Sequence, residues 1–319
     1  MRAMRIHKLG APMQMDKVRM PSPEFGEVRL RVHTCGINFG DTLIVKGKYQ
    51  EKFPLPFTPG MEICASVDAL GDGVTGLQLG QRIAAYCGVG GLAEYTCVPA
   101  DICVPVPDSM PDVDAAAFLV AYGTSHVALD YKAALKAGET LLVLGASGGI
   151  GLTAVELGKL MGARVIAVAR GADKLAVAAR AGADHLIDSS TDIREAVKAL
   201  GGADVVYDPV GGDMFRAALR ACNPEARIIP LGFASGDIPQ IPANILLVKN
   251  ITVVGFYWGG YAKFKPNVLT DSFVHLFKWH AEGRLKPHVS HVLPLEQADV
   301  GLQLLRDRKA TGKVVIQVM

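Results

Sequence analysis

The segment at residues 139–151 constrains the fold more than any other part of the chain, and it reads Glu-Thr-Leu-Leu-Val-Leu-Gly-Ala-Ser-Gly-Gly-Ile-Gly. Its apolar run predicts a buried parallel strand, and apolar residues at Ile150, Ala154, Leu157 and Met161 predict a helix that begins at the glycine-rich turn. The N-terminus of such a helix offers unpaired N–H groups and a partial positive charge, which bind phosphate groups. The segment therefore predicts a dinucleotide-binding loop.

The glycines of this segment suit a pyrophosphate-binding turn, although the strict G-x-G-x-x-G fingerprint is not met. Ala146 stands at its first position, so the spacing is Gly145-x-x-Gly148-x-x-Gly151. A second apolar run at residues 165–169 follows at the distance expected of a strand–helix–strand unit. A purely structural turn is the alternative, because tight strand-to-helix turns also use glycine. The residues predicted to contact the cofactor here are Gly145, Ser147, Gly148, Gly149, Ile150 and Gly151.

Residues 145–149 also match G-x-S-x-G, the nucleophile turn of α/β-hydrolases. That interpretation needs Ser147 as the nucleophile, with Asp208 and either His288 or His291 as its partners. The nearest candidate for an oxyanion loop, at residues 88–91, lacks the leading histidine. Dinucleotide binding is therefore favoured, with Ser147 as a turn residue that contacts phosphate.

Two cations after the second apolar run indicate which dinucleotide is bound. An NAD site usually places an acid about 20 residues after the glycines, where it holds the ribose hydroxyls. Here the run ends in Arg170, and Lys174 lies one helical turn further on. Arginine and lysine at this place suit a 2′-phosphate, whereas Asp173 could be a ribose acid or a helix cap. The sequence favours NADP(H) over NAD(H).

Composition and charge leave room for two domains and argue against several classes of protein. The 319 residues are 50% hydrophobic and 20% charged, with a formal net charge of +2 at pH 7. No basic stripe is present, which argues against nucleic acid as a partner. No stretch is long and apolar enough to span a bilayer, and the first residues lack the apolar run of a signal peptide. We expect a cytoplasmic protein that binds neither nucleic acid nor membrane.

The cysteines and the paired histidines do not predict a metal site. None of the six cysteines forms a C-x-x-C pair, and in a reducing cytosol they are expected to be buried thiols. His275 with His280, and His288 with His291, lack the spacing of a helical zinc pair. We therefore predict no metal ligand.

The pattern of elements divides the chain into a β-rich part and an alternating part. Residues 27–33 alternate apolar and charged side chains, and further short strands separated by turns suggest a compact barrel-like fold. Residues 115–131 predict one helix, and the elements after residue 287 predict a return to the first domain. Between them, six runs predict the strands of a doubly wound parallel sheet. These runs are residues 141–144, 165–169, 185–187, 205–207, 227–232 and 251–256.

Seven motifs along essentially the whole chain resemble one family. They are Cys35-Gly-Ile-Asn-Phe-Gly-Asp41, Pro59-Gly-Met-Glu62, Gly80-Gln-Arg-Ile83, Gly91-Leu-Ala-Glu-Tyr95, the loop at residues 145–151, Asp208-Pro-Val-Gly-Gly212 and Gly312-Lys-Val-Val315. Together they resemble the medium-chain dehydrogenase/reductase superfamily and, within it, the zinc-independent quinone oxidoreductases related to zeta-crystallin. The resemblance implies an α/β fold. A GroES-like β-rich catalytic domain would span residues 1–117 and 285–319, and a Rossmann domain with a doubly wound, six-stranded parallel sheet would span residues 118–284.

The residues with which related enzymes bind zinc are replaced in this chain. Zinc-dependent members have a cysteine ligand near Asn38, a histidine in the place of Met61, and a lobe of four closely spaced cysteines, none of which this sequence contains. Cys35 alone cannot close a tetrahedral site. Because alkoxide chemistry without a metal lacks charge stabilisation, the resemblance points to an acceptor that takes a hydride readily, such as a quinone or a conjugated enone.

The resemblance also implies roles for individual residues. Asn38 and Thr124 would lie near the nicotinamide, and Lys313 would reach the cofactor from the tail. Many relatives carry a tyrosine near the third strand end, where this chain has serines that could donate to the 2′-phosphate. Further candidates for cofactor binding are Ser189, Gly232, Phe233, Phe256 and Trp258. The candidate catalytic residues are Asn38, Asp41, Tyr49 and Thr124.

These observations predict NADPH-dependent reduction of a small-molecule quinone by hydride transfer without zinc. Positioning in a dry cleft would supply most of the catalysis, with Asp41 mainly holding a loop and the proton coming from water, a ribose hydroxyl or Tyr49. An enone or 2-enoyl reductase and a non-catalytic NADPH-binding protein remain alternatives. The resemblance further implies a homodimer, joined through the edge strands at residues 251–257.

Overall fold

In the computed structural model, which describes residues 1–319, the chain forms two structural units. Unit 1 contains Met1–Val120 and Pro287–Met319, and unit 2 contains Ala121–Lys286. No helix in either unit has both the length and the apolar composition that a membrane span requires.

The N-terminal part of unit 1 consists mainly of strands. Its elements are β1 (Arg2–Arg5), β2 (Gln14–Lys17), β3 (Glu27–Ile37), α1 (Phe39–Ile44), β4 (Glu62–Leu70), β5 (Arg82–Tyr86), β6 (Tyr95–Pro99), β7 (Cys103–Pro105) and α2 (Asp112–Ala116). The helix α3 (Leu119–His126) then leads into unit 2 and continues as a π-helical turn over Val127–Lys132.

Strands and helices alternate through unit 2, and three elements return to unit 1. Unit 2 contains β8 (Thr140–Leu144), α4 (Gly149–Leu160), β9 (Arg164–Ala169), α5 (Ala172–Arg180), β10 (His185–Asp188), α6 (Ile193–Ala199), β11 (Ala203–Asp208), α7 (Gly212–Ala221), β12 (Cys222–Pro230), α8 (Ala243–Lys249), β13 (Thr252–Val253), α9 (Tyr261–Phe264) and α10 (Asn267–Ala281). The returning elements are β14 (Val289–Pro294), α11 (Ala298–Arg306) and β15 (Lys313–Gln317).

The large sheet of unit 1 has the order β14-β15-β3-β4-β5-β7, and β6 also pairs with β3. Its central strand β3 alternates in burial, with Leu30 and Val32 buried in the core and Arg31 exposed, because successive side chains of a strand point to opposite faces. The tail strand β15 pairs with β3, and the tail elements therefore belong to the sheet of unit 1.

The sheet of unit 2 is fully parallel, with the order β10-β9-β8-β11-β12-β13. All five residues of β8 are buried, as expected of a central strand with both faces covered. The predicted six-stranded parallel sheet is thus confirmed. The sixth strand is shorter than predicted, since only Thr252 and Val253 pair with β12.

The prediction of a single helix over residues 115–131 is wrong. The chain turns at Ala117 (φ −98°, ψ 3°), and α3 starts two residues later. The N–H of Val120, in the first turn of α3, donates to Oε2 of Glu62 at 2.9 Å. First-turn N–H groups have no partner within their own helix, so this buried carboxylate stabilises a second helix start that no local sequence signal marks.

Candidate functional site

Three loops of unit 2 meet at the carboxyl ends of the adjacent strands β8, β11 and β12. The backbone N–H groups of Ala234 and Ser235 donate to the carbonyls of Pro209 and Val210, at 3.2 and 2.9 Å. A Cβ on Gly145 would lie 2.9 Å from a methyl group of Val210. Open α/β sheets bind their ligands at this edge, which makes the meeting point of these loops the candidate binding site.

The loop between β8 and α4 is shaped by its glycines. Gly145 has φ +62°, a left-handed conformation that side chains disfavour. The Gly148 N–H donates to the Gly145 carbonyl at 3.0 Å, and Gly148 is also the N-cap of α4. A Cβ on Gly151 would stand closer than 3.0 Å to the backbone of Gly145, so only glycine allows this approach of helix to strand.

This loop suits a pyrophosphate. The N–H groups of Gly149, Ile150 and Gly151 form the first turn of a twelve-residue helix, where they have no intrahelical partners and the helix dipole favours an anion. Ser147 is 6% exposed and lies directly before the N-cap. The residues predicted to form a phosphate-binding turn are therefore brought together.

The groups that the hydrolase interpretation needs have other partners. Oδ1 of Asp208 accepts from the N–H groups of Val210 and Gly211 at 2.7 and 2.9 Å, so this carboxylate holds its own loop. In unit 1, Nε2 of His288 lies 3.0 Å from the Thr311 hydroxyl, and Nδ1 of His291 lies 2.9 Å from that of Ser290. None of these contacts joins Ser147, Asp208 and a histidine, as the hydrolase interpretation would require.

The end of β9 carries the predicted cations together with an acid that sequence reasoning did not assign. Arg170 is exposed directly after β9, and Lys174 is half-buried on α5. Asp188 accepts from the Gly171 N–H at 2.8 Å and from the Ser190 N–H and hydroxyl at 2.9 and 2.8 Å.

Asp188 therefore organises this loop. Hydrogen bonds from Ser190, then the one from Gly171 and the nearby charge of Arg170, hold the pKa of Asp188 below its usual value. Ser189 lies within the same turn, its N–H donating to the Ala169 carbonyl at 2.9 Å. The only sequence signal for Asp188 was its position at the end of a predicted strand.

The aromatic candidates of unit 2 differ in exposure. Phe233 is 39% exposed in the turn after β12, directly after Gly232. Phe256 is half-buried, with its ring 5.8 Å from that of Tyr261. Trp258 is 6% exposed, and its indole lies against Gly123 and the ring of Phe273, which is the place of a core side chain.

Thr124 is buried on α3, next to a serine that the sequence did not single out. The Ser125 hydroxyl is fully buried and lies 2.8 Å from the hydroxyls of both Thr153 and Tyr207. It also donates to the Ile150 carbonyl at 2.9 Å. These contacts connect α3 to the first turn of α4 and to β11, and so hold Thr124 in a fixed position relative to the loop at residues 145–151.

In unit 1, Asn38 lies in a network with a buried ion pair. Nζ of Lys313 donates to Oε1 of Glu62 at 2.6 Å, and the two side chains are 5% and 1% exposed. The same ammonium donates to Oδ1 of Asn38 at 2.6 Å and to the Ile37 carbonyl at 3.1 Å. Nδ2 of Asn38 donates to Oε1 of Glu62 at 2.9 Å. The pair therefore fixes which way the Asn38 amide points.

All three N–H donors of the Lys313 ammonium are thus directed to acceptors of unit 1. Direct contact between Lys313 and a cofactor remains a prediction, and the observed geometry makes Lys313 a positioning residue for Asn38. The sequence signal for this role was weak, because a lysine followed by Val-Val-Ile predicts a strand but not its burial beside a glutamate.

The Asp41 carboxylate is buried and accepts hydrogen bonds from backbone N–H groups. Its Oδ2 accepts from the Asn38 N–H at 2.8 Å and its Oδ1 from the Gly60 N–H at 3.2 Å, and the side chain is fully buried. Burial raises the pKa of Asp41 to about 7, against the effect of these hydrogen bonds. Tyr49 is half-buried, with its ring 3.4 Å from the position a Cβ on Gly40 would take.

Asn38 and Met61 stand at the positions where zinc-dependent relatives are expected to bind the metal. Met61 is 4% exposed, and the Asn38 amide is already bound to a cation, the Lys313 ammonium. Elsewhere, the ligand atoms of His33, Cys64 and Asp112 lie within 4.8 Å of one another. However, the Arg82 guanidinium donates to Oδ1 of Asp112 at 2.7 Å and already neutralises that carboxylate.

Comparison with known proteins identifies both parts of the chain. Residues 24–108 match the alcohol dehydrogenase GroES-like domain, and residues 149–272 match a family described as zinc-binding dehydrogenase. The quinone oxidoreductase-like protein 2 homolog of Nematostella vectensis is 42% identical over 99% of this chain and 88% of its own length.

Two solved structures match over the full length of both chains. One is the quinone oxidoreductase of Thermus thermophilus, with a TM-score of 0.89 and 33% identity, and its description includes a complex with NADPH. The other is the Escherichia coli quinone oxidoreductase complexed with NADPH, with a TM-score of 0.93 and 28% identity. From these matches and from the two sheets described above, the chain belongs to the medium-chain dehydrogenase/reductase superfamily, as a quinone oxidoreductase-like protein.

Proposed function

We propose that this protein binds NADPH and transfers a hydride from it to a quinone without the help of a metal ion. The observation that carries the proposal is the loop between β8 and α4, in which glycines and a helix N-terminus form a cradle for a pyrophosphate. When bound, the cofactor supplies the hydride, and the protein supplies binding, orientation and electrostatics.

The phosphate groups of the cofactor would be held by unit 2. The first-turn N–H groups of α4 would donate to the pyrophosphate, since a helix N-terminus favours anions. Arg170 and Lys174 would hold the 2′-phosphate, with Arg170 forming a fork of two hydrogen bonds. Asp188 orders the loop that carries Arg170. Its Oδ2 accepts from the Gly171 N–H, and its Oδ1 accepts from the Ser190 N–H.

The chemistry of unit 1 favours a reaction without a metal. A divalent ion at Asn38 would have to approach within a few ångströms of the Lys313 ammonium, which donates to Oδ1 of Asn38 at 2.6 Å, and like charges at that distance repel strongly. Without a Lewis acid, the acceptor must take a hydride readily, as a quinone does. The two solved quinone oxidoreductases described as NADPH complexes support the same choice.

The proton has no dedicated donor among the buried acids. Asp41 is fully buried, and its two oxygens hold the N–H groups of Asn38 and Gly60. We therefore assign Asp41 to loop stability and Asn38 to substrate or nicotinamide contact, with water, a ribose hydroxyl or the Tyr49 phenol supplying the proton. We further propose that two copies of the chain form a homodimer by pairing their edge strands β13. A monomeric mass in light scattering would contradict this homodimer.

The test is a kinetic comparison of cofactors and acceptors. We expect the metal-free protein to oxidise NADPH with a simple quinone, to retain that activity in a chelator, and to use NADH poorly. Changing Arg170 and Lys174 together to alanine should weaken NADPH binding by about 100-fold or more, since each charged contact to phosphate contributes about 1.5–3 kcal/mol, while NADH binding is unchanged. Arg180→Ala, at the far end of α5, is the matched control.

Three outcomes would contradict the proposal. Turnover with conjugated enones but no quinone would make the protein an enone reductase. NADPH binding without turnover of any acceptor would make it a non-catalytic binding protein. Activity that depends on added zinc would refute the metal-free mechanism.

A further inference from the structure

A second polar group in unit 1 has the composition and order of a nucleophilic site. Oγ of Ser66, on β4, lies 3.1 Å from Nε2 of His33 on β3. Nδ1 of the same ring lies 2.9 Å from Oδ2 of Asp112, the first residue of α2. An ionised carboxylate only accepts hydrogen bonds, so Nδ1 donates to Asp112, and in the neutral form of the imidazole Nε2 accepts a hydrogen bond from the Ser66 hydroxyl. Hydroxyl, imidazole and carboxylate therefore stand in the order of a catalytic triad.

The carboxylate of this chain is held in place by further contacts. Nε and Nη2 of Arg82 donate to Oδ1 of Asp112 at 3.0 and 2.7 Å, and the Thr34 hydroxyl donates to the Asp112 carbonyl at 2.8 Å. Burial would raise the pKa of Asp112, but the hydrogen bond from Arg82 and the charge of Arg82 oppose it, and the pKa lies below its usual value. Asp112 thus stays ionised and fixes the His33 ring.

The group is accessible, and its neighbours are cationic. The side chains of His33 and Asp112 are 24% and 35% exposed, and Ser66 is half-buried. In the sheet register, Ser66 is directly opposite Arg31 on one side and Arg82 on the other. Side chains at such paired positions are neighbours on one face. Arg31 and Arg82 are therefore the residues beside Ser66 on this face. The Arg82 guanidinium donates to Asp112, so Arg31 is the residue that would stabilise negative charge that develops on a substrate oxygen.

We propose that Ser66, His33 and Asp112 form a second, hydrolytic site that acts on small carboxylic esters. The Ser66 oxygen bonds to the ester carbonyl carbon while its proton passes to Nε2 of His33. The bond to the leaving alcohol then breaks, and the alcohol takes that proton. Water, deprotonated by His33, attacks the acyl-serine and releases the carboxylic acid with Ser66 restored. No oxidant, reductant or cofactor takes part, so this activity is independent of NADPH.

The test uses a fluorophosphonate reagent on the full chain, followed by peptide mass spectrometry. Attack by Ser66 forms an oxygen–phosphorus bond, expels fluoride and passes the hydroxyl proton to His33. We expect the label on Ser66, and His33→Gln should slow labelling by about 100-fold, the order of effect that a general base contributes. Hydrolysis of p-nitrophenyl acetate should fall in parallel.

Controls separate chemistry from folding. Ser66→Ala should abolish the label and the ester hydrolysis while leaving NADPH oxidation unchanged, and this comparison does not depend on whether His33→Gln folds. Ser290→Ala, whose hydroxyl lies beside His291 in the same unit, should leave the label at Ser66 unchanged. Absence of label at Ser66, label at Ser147 instead, or equal labelling rates in wild type and folded His33→Gln would overturn the proposal.

Discussion

The loop between β8 and α4 of unit 2 is shaped by glycines and backbone N–H groups, whereas the position of Asn38 in unit 1 depends on a buried ion pair. In the loop, position is set by how closely α4 approaches β8, so a single methyl group can disturb it. Around Asn38, position is set by Lys313 and Glu62, whose charges are almost completely removed from solvent. Steric changes should therefore disturb the loop of unit 2, whereas changes of charge should disturb the position of Asn38 in unit 1.

The largest effect is expected from breaking the ion pair of unit 1. Lys313→Met leaves Glu62 charged and unpaired at 1% exposure, and removal of one partner from a buried pair costs about 3–5 kcal/mol. The free energy of unfolding, measured with urea, should fall by that amount. The double variant Lys313→Met with Glu62→Gln should recover part of it, since it removes the unpaired charge.

A second measurement on these variants separates stability from positioning. Because Lys313 and Glu62 orient the Asn38 amide, the folded double variant should keep its KM for NADPH but lose kcat. An undisturbed kcat would show that the ion pair only stabilises unit 1. Equal unfolding free energies for wild type and Lys313→Met would show that the pair is not buried in solution.

A smaller effect is expected from adding a methyl group to the loop of unit 2. A Cβ at Gly151 would overlap the backbone of Gly145, whereas one at Gly148 would lie 3.4 Å from the Gly145 carbonyl, an ordinary contact. Gly151→Ala should therefore lower both the melting temperature and the affinity for NADPH, by about 10–100-fold for the affinity, because 1.4 kcal/mol corresponds to a factor of ten.

Gly148→Ala is the matched control for this loop. Its backbone angles, φ −80° and ψ 174°, suit any residue, so its melting temperature should equal that of the wild type. Its NADPH affinity should still fall, because Gly148 is the N-cap of α4, where the pyrophosphate is proposed to bind and an added methyl group would crowd it. Undiminished NADPH affinity in both variants would show that the loop does not bind the cofactor.

The smallest expected effect concerns the carboxyl group of Asp208, at the end of β11 in unit 2. Burial raises the pKa of Asp208 to about 6, although the hydrogen bonds that its Oδ1 accepts from the N–H groups of Gly211 and Val210 act to lower it. No protein group pairs with its buried Oδ2. The folded protein therefore binds the Asp208 proton more tightly than the unfolded chain does. The stability that this proton contributes is complete below the unfolded pKa near 3.8 and is lost as the pH rises through about 6.

Asp208→Asn keeps the accepting oxygen and removes the titration. Between about pH 5 and pH 7, the unfolding free energy of the wild type should fall relative to that of the variant by about 1–2 kcal/mol, since one pKa unit corresponds to about 1.4 kcal/mol. Urea unfolding at several pH values measures this difference. A constant difference across the range would mean that Asp208 is ionised throughout and that the loop does tolerate a buried charge.

Local patterns predicted the parts of the fold in which each residue acts through its neighbours in sequence. The order apolar run, glycine turn and helix located the loop at residues 145–151, and apolar runs located all six strands of the parallel sheet. The same reasoning failed at residues 115–131, where Glu62 accepts the Val120 N–H and a second helix begins. That hydrogen bond joins residues 58 positions apart, so no window of local sequence contains it.

The amino-acid sequence by itself determined the family, through motifs that resemble it along the whole chain. It also determined the parallel sheet and the glycine turn at residues 145–151, because strand period, helix period and glycine spacing are local properties of a chain. Only the tertiary structure decided that Lys313 pairs with Glu62 to orient Asn38, that Asp188 organises the turn beside Arg170, and that Ser66, His33 and Asp112 form one hydrogen-bonded chain. The physical reason is that burial and hydrogen bonding between distant residues arise when strands β3, β4 and β15 come together, and these contacts have no period in the sequence.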